Sequence, residues 1–204
     1  MSGRYIGFEG IDGAGKSTVA EAVAAELRAD VRNVVTVREP GGTPVGEAIR
    51  EILLHSHEDL VPWSEALLFA ASRAQLAAQT VAPLLEAGAW VLSDRTVYSS
   101  LAYQGAGRGL GIELVRTVNA AGLDNVWPDL VIVLELDPTT GLGRQEEPDR
   151  IGGEGIELQD RVAAAYRQIA ATDPRLVFVD GSRSVAEVVR DSVAVIRERL
   201  IESV

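Results

Sequence analysis

A glycine-rich segment near the start of the chain carries the residue types that bind phosphate. Its pattern is G-x-x-x-x-G-K-[ST], with an apolar segment before it and an alanine-rich helical segment after it. Glycines let backbone N–H groups turn toward phosphate oxygens at the positive end of the following helix. The Lys16 ammonium is expected to bridge the transferred phosphoryl group, and the Ser17 hydroxyl to help hold Mg²⁺. The pattern predicts ATP binding by Gly10, Ile11, Asp12, Gly13, Ala14, Gly15, Lys16, Ser17 and Thr18.

Lys16 is the only lysine among the 204 residues, and every other strong cation is arginine. A planar guanidinium does not readily replace a compact ammonium, so this lysine favours a phosphate loop over a chance glycine-rich turn. A guanine-reading Asn-Lys-x-Asp motif is excluded, because it needs a second lysine. The loop alone indicates nucleotide binding and leaves the reaction undefined.

A second set of polar residues has the chemistry to hold a nucleotide acceptor. Phe69 and Arg73 are four residues apart, so on a helix they share a face and suit stacking on a flat base and donation to its oxygens. Asp94 and Arg95 follow an apolar segment at the sheet edge where α/β proteins bind ligands. From spacing alone, core and rim roles are the preferred interpretation of Phe69 and Arg73, whereas a helix-capping role for Asp94 is compatible with ligand binding.

The segments that must position these residues alternate between strand and helix patterns, which predicts an α/β fold with a parallel sheet and right-handed crossovers. The predicted strands are residues 5–8, 34–37, 90–93, 130–136 and 176–179. The predicted helices are residues 16–28, 45–54, 63–85 (kinked near Pro83), 96–103, 112–121, 139–144, 156–171 and 185–201. We interpret residues 1–204 as one domain, with a short mobile lid around residues 144–155.

Composition narrows the function classes. The 30 acidic against 19 basic residues give a net charge of −11, which argues against nucleic-acid or anionic-membrane binding. No cysteine is present, so disulfides, thiolate catalysis and cysteine-based zinc sites are excluded. No apolar signal segment or run of eighteen apolar residues occurs, and we therefore expect a cytoplasmic protein.

Five short motifs in order resemble the bacterial thymidylate kinase family over almost the whole chain. They are Arg38-Glu39-Pro40-Gly41-Gly42-Thr43, Leu68-Phe69-Ala70-Ala71-Ser72-Arg73, Ser93-Asp94-Arg95, Ala102-Tyr103-Gln104-Gly105 and Pro128-Asp129-Leu130. The resemblance implies a three-layer P-loop kinase fold around a five-stranded parallel sheet. It also implies phosphorylation of dTMP to dTDP with ATP and Mg²⁺, and a homodimer formed through the helices near residues 45–54 and 63–85.

The resemblance assigns roles to individual residues. Arg38 and Arg95 hold the acceptor phosphate, Asp94 supports Mg²⁺ with Ser17, and Asp12 meets the acceptor 3′-hydroxyl. The implied acceptor pocket, in which Tyr103 disfavours ribose and Glu39-Pro40 is open to a cis peptide bond, contains Pro40, Phe69, Arg73, Ser99, Ser100, Tyr103 and Gln104. Ordinary packing remains an alternative for Ser99.

Family members place a last catalytic arginine either in the phosphate loop or in the lid. Gly13 occupies the loop position, so the chain resembles the lid-arginine type, although its lid is short and acidic. Arg150, beside Asp149, is the first candidate and Arg144 the second, with a solvated charge as the alternative for either. Two other functions stay open: a kinase for another nucleoside monophosphate, and an ATP-binding regulatory module without acceptor turnover.

Overall fold

A computed structural model describes residues 3–31, 33–56, 59–145 and 149–202. Five strands form one parallel sheet, with β1 in its centre and the spatial order β2-β3-β1-β4-β5. The strands are β1 (Arg4–Glu9), β2 (Val34–Arg38), β3 (Trp90–Asp94), β4 (Leu130–Glu135) and β5 (Leu176–Asp180). The predicted α/β class with a five-stranded parallel sheet is therefore confirmed.

Helices connect the strands on both faces of the sheet. They are α1 (Lys16–Leu27), α2 (Pro44–His55), α3 (Pro62–Leu76), α4 (Ala82–Glu86), α5 (Val97–Ser100), α6 (Ile112–Leu123), α7 (Pro138–Gly143), α8 (Ile156–Ala170) and α9 (Val185–Ile196). π-Helical turns follow three of them, at Ala77–Val81, Leu101–Gly107 and Arg197–Ile201, and a 3₁₀ turn spans Gly152–Glu154. None of the helices in these described ranges is long and apolar enough to cross a bilayer.

The central strands are apolar along nearly their whole length because helices cover both faces of the sheet. In β4, every residue from Leu130 to Leu134 is buried, and β1 is buried from Tyr5 to Glu9. Glu9 is the one charged residue in this buried part of β1, where it places a fully buried carboxylate at the end of the strand. Packing in the core therefore fixes where each strand ends and where the following loop begins.

The predicted helix over residues 63–85 is interrupted by a π-helical turn rather than by a simple kink. Pro83 has no N–H, and its ring crowds the carbonyl four residues earlier, at Gln79. The wider π turn at Ala77–Val81 lies over that carbonyl and lets the chain continue helically into α4.

The helix after Thr96 is longer than predicted. The sequence pattern ended it at Tyr103 and gave Gly105 to Gly111 to a loop, whereas the structure continues as a π turn to Gly107. A Cβ on Gly105 would lie 3.0 Å from Ile112 Cα, and one on Gly107 would lie 2.8 Å from Leu158 Cδ1. The glycines therefore permit close packing against α6 and α8 instead of ending the helix.

The carboxyl ends of three adjacent strands bring the predicted site together. β1 leads into the phosphate loop, β2 ends at Arg38, and β3 ends at Asp94. Of the predicted lid, Glu146, Glu147 and Pro148 lie outside the described residues. Its remaining part includes Arg144 after α7 and Arg150 before the 3₁₀ turn.

Candidate active site

A cleft of about 930 Å³ opens at the carboxyl edge of the sheet and collects most of the predicted residues. Those that line it are Asp12, Gly13, Gly15, Lys16, Ser17, Thr18, Arg38, Pro40, Phe69, Arg73, Asp94, Arg95, Ser99, Tyr103, Gln104 and Arg144. Five predicted residues are not among the lining residues: Gly10, Ile11, Ala14, Ser100 and Arg150. Ile11 and Ala14 pack into the hydrophobic core, which anchors the loop from behind.

The phosphate loop keeps its lysine folded inward. Lys16 is 7% exposed, and its Nζ donates a hydrogen bond to the Ile11 carbonyl oxygen at 2.7 Å. Burial, together with the nearby Arg95 guanidinium, lowers the pKa of Lys16 to about 8, although Asp12 and Asp94 oppose that shift. In the free protein, Asp12 and Asp94 balance the Lys16 ammonium only in part. A phosphate group bound in the loop would supply the remaining negative charge.

Gly13 touches the backbone of α7. A Cβ at Gly13 would lie 2.0 Å from the Gly141 carbonyl oxygen, and the Gly13 φ of 77° is itself unfavourable for other residues. A Cβ at Gly141 would in turn meet the Asp12 carbonyl oxygen at 2.5 Å. An arginine at position 13 has no place in this packing, which gives a steric reason for the absence of a loop arginine.

The loop hydroxyl and the end of β3 form a small polar pair. Ser17 Oγ donates a short hydrogen bond to Asp94 Oδ2, while Asp94 Oδ1 is buried without a hydrogen-bond partner among the described residues. Within those residues no group of three or more His, Cys, Asp or Glu has a metal-binding arrangement. A cation at this pair would therefore draw most of its ligands from phosphate oxygens and water.

Arg95 and Asp12 form an ion pair between the loop and the far wall of the cleft. Arg95 also donates to Ser99 Oγ at 3.1 Å, and its guanidinium lies 5.1 Å from the centre of the Tyr103 ring. Asp12 accepts a further hydrogen bond from Gln159 Nε2 at 2.8 Å. Burial alone raises the pKa of Asp12, but the Arg95 and Lys16 cations outweigh it and the pKa is lowered.

Arg38 lies at the mouth of the cleft, where it forms an exposed ion pair with Glu47 at 2.9 Å. Arg50, which the sequence did not single out, also lines the cleft and donates to the Pro40 carbonyl oxygen at 2.9 Å. The Glu39–Pro40 peptide bond is cis. Two arginines from β2 and α2 thus converge on the same turn that the sequence assigned to the acceptor.

Arg73 is more constrained than its predicted role required. It is 3% exposed and forms a buried ion pair with Glu39 at 2.6 Å. The same guanidinium donates to Ser100 Oγ at 3.0 Å, to the Thr96 carbonyl oxygen at 3.1 Å, and to Asn119. These bonds to described residues occupy four of its five N–H groups, and the fifth, which has no partner among those residues, remains for a ligand.

Some of the predicted base-binding residues therefore line the cleft, whereas others lie behind it and support those that do. Phe69 lines it and packs partly on the core, while Ser100 lies behind it and orients Arg73. Tyr103 lines it with a buried ring whose hydroxyl donates to Gln159 Oε1 at 3.4 Å. Glu39 and Gln159 were missed because their partners are distant in sequence and follow no local pattern.

Glu65 connects the acceptor wall to the lid. This carboxylate is 1% exposed and accepts hydrogen bonds from Gln104 Nε2 at 2.9 Å and Arg108 at 3.0 Å, and from Arg150 Nη2 at 2.7 Å. Arg150 also donates to the Leu53 carbonyl oxygen and is not among the residues that line the cleft. Arg144, in contrast, lines the cleft and reaches the Gly181 carbonyl oxygen at 3.4 Å. Arg150 was the first candidate for the lid arginine, and in this conformation only Arg144 is at the cleft.

A phosphate loop after the central strand, facing a second group of arginines across one cleft, defines a P-loop kinase of the nucleoside monophosphate type. Comparison with known proteins identifies the branch. A sequence model of the thymidylate kinase family matches residues 8–192.

Three relatives named thymidylate kinase illustrate the match. The protein of Halothermothrix orenii is 44% identical over 197 residues, covering 94% of this chain and 95% of the relative. That of Bifidobacterium longum is 44% identical over 194 residues, covering 92% and 94%. That of Pelotomaculum thermopropionicum is 47% identical over 190 residues, covering 90% and 88%. The chain belongs to the thymidylate kinase family.

Proposed function

We propose that this chain transfers the γ-phosphoryl group of ATP to dTMP, giving dTDP and ADP on the route to dTTP. The observation that carries the proposal is the cleft in which the phosphate loop faces Arg38, Arg95 and the pocket of Phe69, Arg73 and Gln104. A phosphate oxygen of dTMP attacks the γ-phosphorus while the bond to the β–γ bridging oxygen breaks. The bonding electron pair leaves on ADP.

At the donor end, the protein supplies charge and orientation rather than covalent chemistry. Loop backbone N–H groups and the Lys16 ammonium hold the phosphates, and Nζ exchanges its bond to the Ile11 carbonyl for a phosphate oxygen. Burial disfavours the positive charge of Lys16 in the free protein, and the negative charge of the bound phosphates compensates for this.

The Ser17–Asp94 pair fits a Mg²⁺ site, because the unpaired Asp94 Oδ1 is a buried acceptor that lacks a donor among the described residues. Ser17 would ligate the ion, and Asp94 would hold it directly or through its water shell. Bound Mg²⁺ neutralises charge on the β- and γ-phosphate oxygens. The shortage of other acidic ligands in the described part of the chain suits a cation that keeps several waters and takes the remaining ligands from phosphate.

At the acceptor end, we assign Arg38 and Arg95 to the dTMP phosphate, with Asp12 next to the sugar 3′-hydroxyl. Pro40 shapes the pocket and Phe69 stacks on thymine. The free N–H of Arg73 and the Gln104 amide reach the edge of the base, and Tyr103 crowds the 2′ position. Ser99 and Ser100 support this set by orienting Arg95 and Arg73.

We further propose that a lid arginine covers the transferring group and excludes water, which suppresses ATP hydrolysis. Arg150 is the first candidate because it is next to Asp149 in the sequence. Its side chain must break its ion pair with Glu65 to reach the cleft. Arg144 needs a smaller movement, because it already lines the cleft.

The test is a turnover assay with ATP, Mg²⁺ and each common nucleoside and deoxynucleoside monophosphate. The expected result is dTDP formation, with dTMP the best acceptor by kcat/KM. Faster turnover of dUMP, dCMP or dGMP would reassign the acceptor. Tight ATP binding without turnover of any acceptor would establish the regulatory-module alternative.

The homodimer and cytoplasmic location remain predictions. Exposed apolar side chains on or beside α2 and α3 suit a subunit interface: Val45, Ile52, Val61, Trp63 and Leu67. Light scattering of the purified chain measures the oligomeric state, and a monomer at micromolar concentration would contradict the dimer.

A further inference from the structure

Glu9 is a fully buried carboxylate next to the cleft that the reaction as proposed does not use. It ends β1, is 0% exposed, and is not among the residues that line the cleft. Its Oε1 accepts from Thr96 N and Thr96 Oγ1, both at 2.7 Å, and from Ser99 N at 3.1 Å. Its Oε2 accepts from Ser99 Oγ at 2.6 Å and from Tyr166 Oη at 2.7 Å. One side chain thus holds the start of α5.

The backbone is strained two residues before that helix. Arg95 has a φ of 70°, in the left-handed region that side chains other than glycine rarely adopt. Such a conformation is energetically unfavourable and persists only where neighbouring contacts impose it. Here Arg95 N donates to the Phe8 carbonyl oxygen at 3.0 Å, and Thr96, the next residue, is held twice by Glu9. The bonds to Glu9 therefore help to impose the turn that aims Arg95 at the cleft.

Glu9 also acts on the Arg95 side chain through Ser99. The Ser99 hydroxyl has one hydrogen, and it is donated to Glu9 Oε2. Its lone pairs are then free to accept from Arg95 Nη1, which lies 3.1 Å away. The direction of one hydrogen bond thus sets the orientation of the next, and both end at the arginine that faces the loop.

We infer that Glu9 is a positioning residue for phosphoryl transfer, which holds Arg95 in its turn and in its rotamer without touching either substrate. The inference rests on the proposed role of Arg95 at the acceptor phosphate. Pre-set orientation spares the reaction the cost of ordering this cation at each turnover. Residues that orient a functional side chain typically change activity 10- to 100-fold when replaced, by analogy with supporting residues of metal sites.

The test is Glu9→Gln, which keeps the side-chain size but turns an acceptor into a donor facing Ser99 and Tyr166. We expect kcat with dTMP to fall about 10- to 100-fold, with KM for ATP within about twofold of the unchanged protein. Asp173→Asn is the matched control. Like Glu9, Asp173 is a buried carboxylate that accepts a hydrogen bond from α5, in this case from Tyr98, but it is not among the residues that line the cleft. The control variant is expected to lower the melting temperature and to leave kcat unchanged.

A double-mutant cycle separates positioning from general stability. If Glu9 acts through Arg95, Glu9→Gln changes kcat by less than about twofold once Arg95 is alanine. Effects that multiply in Glu9→Gln/Arg95→Ala, or an unchanged kcat in Glu9→Gln alone, overturn the inference. Should Glu9→Gln fail to fold, Ser99→Ala breaks the side-chain relay alone, and its cycle with Arg95→Ala is read in the same way. If the unchanged protein prefers another monophosphate, the cycle is run with that acceptor, so the two proposals fail separately.

Discussion

Replacing Lys16 with Met is expected to abolish phosphoryl transfer and to make the free protein more stable at pH 7. Met fills a similar volume but carries no charge, so the buried loop loses an ammonium that it solvates poorly. Burial and the Arg95 cation lower the pKa of Lys16 from 10.5 to about 8. A group placed for its ligand rather than for the free fold leaves this signature.

The size of the effect follows from that pKa. At 1.36 kcal/mol for each unit, the fall corresponds to about 3 kcal/mol against the charged form in the folded protein. The charged bond from Nζ to the Ile11 carbonyl, worth about 1.5–3 kcal/mol, is lost with the amine. The free energy of unfolding should therefore rise by up to about 2 kcal/mol, and the melting temperature by up to roughly 8 °C for a chain of this size.

Thermal and denaturant unfolding between pH 7 and pH 10.5 measures the gap, which is the difference in free energy of unfolding between Lys16→Met and the unchanged protein. Because the folded pKa lies below the unfolded one, the unfolded chain binds more protons between pH 8 and 10.5, and the unchanged protein gains stability as the pH rises through that window. Lys16→Met lacks this gain of about 3 kcal/mol, so the difference in stability should close and then reverse before pH 10.5. Saturating ADP should reverse the order by stabilising the lysine protein alone. A variant less stable at pH 7, or a gap independent of pH, would refute the reasoning.

Gly13→Ala should raise KM for ATP more than tenfold and lower the melting temperature, because its Cβ would meet the Gly141 carbonyl oxygen at 2.0 Å; steady-state kinetics and thermal unfolding check both effects, and normal ATP kinetics would contradict the packing. Asp94→Asn should raise the Mg²⁺ concentration needed for half-maximal activity by about 10- to 100-fold, with KM for dTMP little changed; an unchanged Mg²⁺ titration removes Asp94 from the metal site. Arg150→Ala should lower kcat at saturating substrates at least tenfold more than Arg144→Ala, because the proposed transition state needs a lid cation. The reverse ranking would give the catalytic role to Arg144, and melting temperatures show whether loss of the Glu65 ion pair is responsible.

The fold and the donor half of the site were predictable because their signals are local. Strands of a covered parallel sheet are continuous apolar runs, and the phosphate loop has a fixed length between its glycine and its lysine. Parallel strands end at one edge of the sheet, so Asp94 was expected beside the loop without knowledge of any contact, whereas Arg38 was expected there from the family resemblance. The structure places both there.

The supporting carboxylates could not be found from the sequence. Glu9, Glu39 and Glu65 look like acids at the ends of elements, where exposed charges are common. Their burial depends on donors 34 to 157 residues away, such as Arg73 for Glu39 and Tyr166 for Glu9. The same limit explains why Arg150 was expected at the cleft, since its bond to Glu65 spans 85 residues.

The presence of a single lysine in the phosphate loop makes the chain a selective target for amine chemistry. Apart from the α-amino group, Lys16 is the only primary amine that an acylating or reductively methylating reagent can modify. A ¹³C-methyl label would therefore give one side-chain resonance, located where the phosphates bind. A lysine-specific protease has one cleavage site, after residue 16 within the loop, so the rate of cutting reports how often the loop opens.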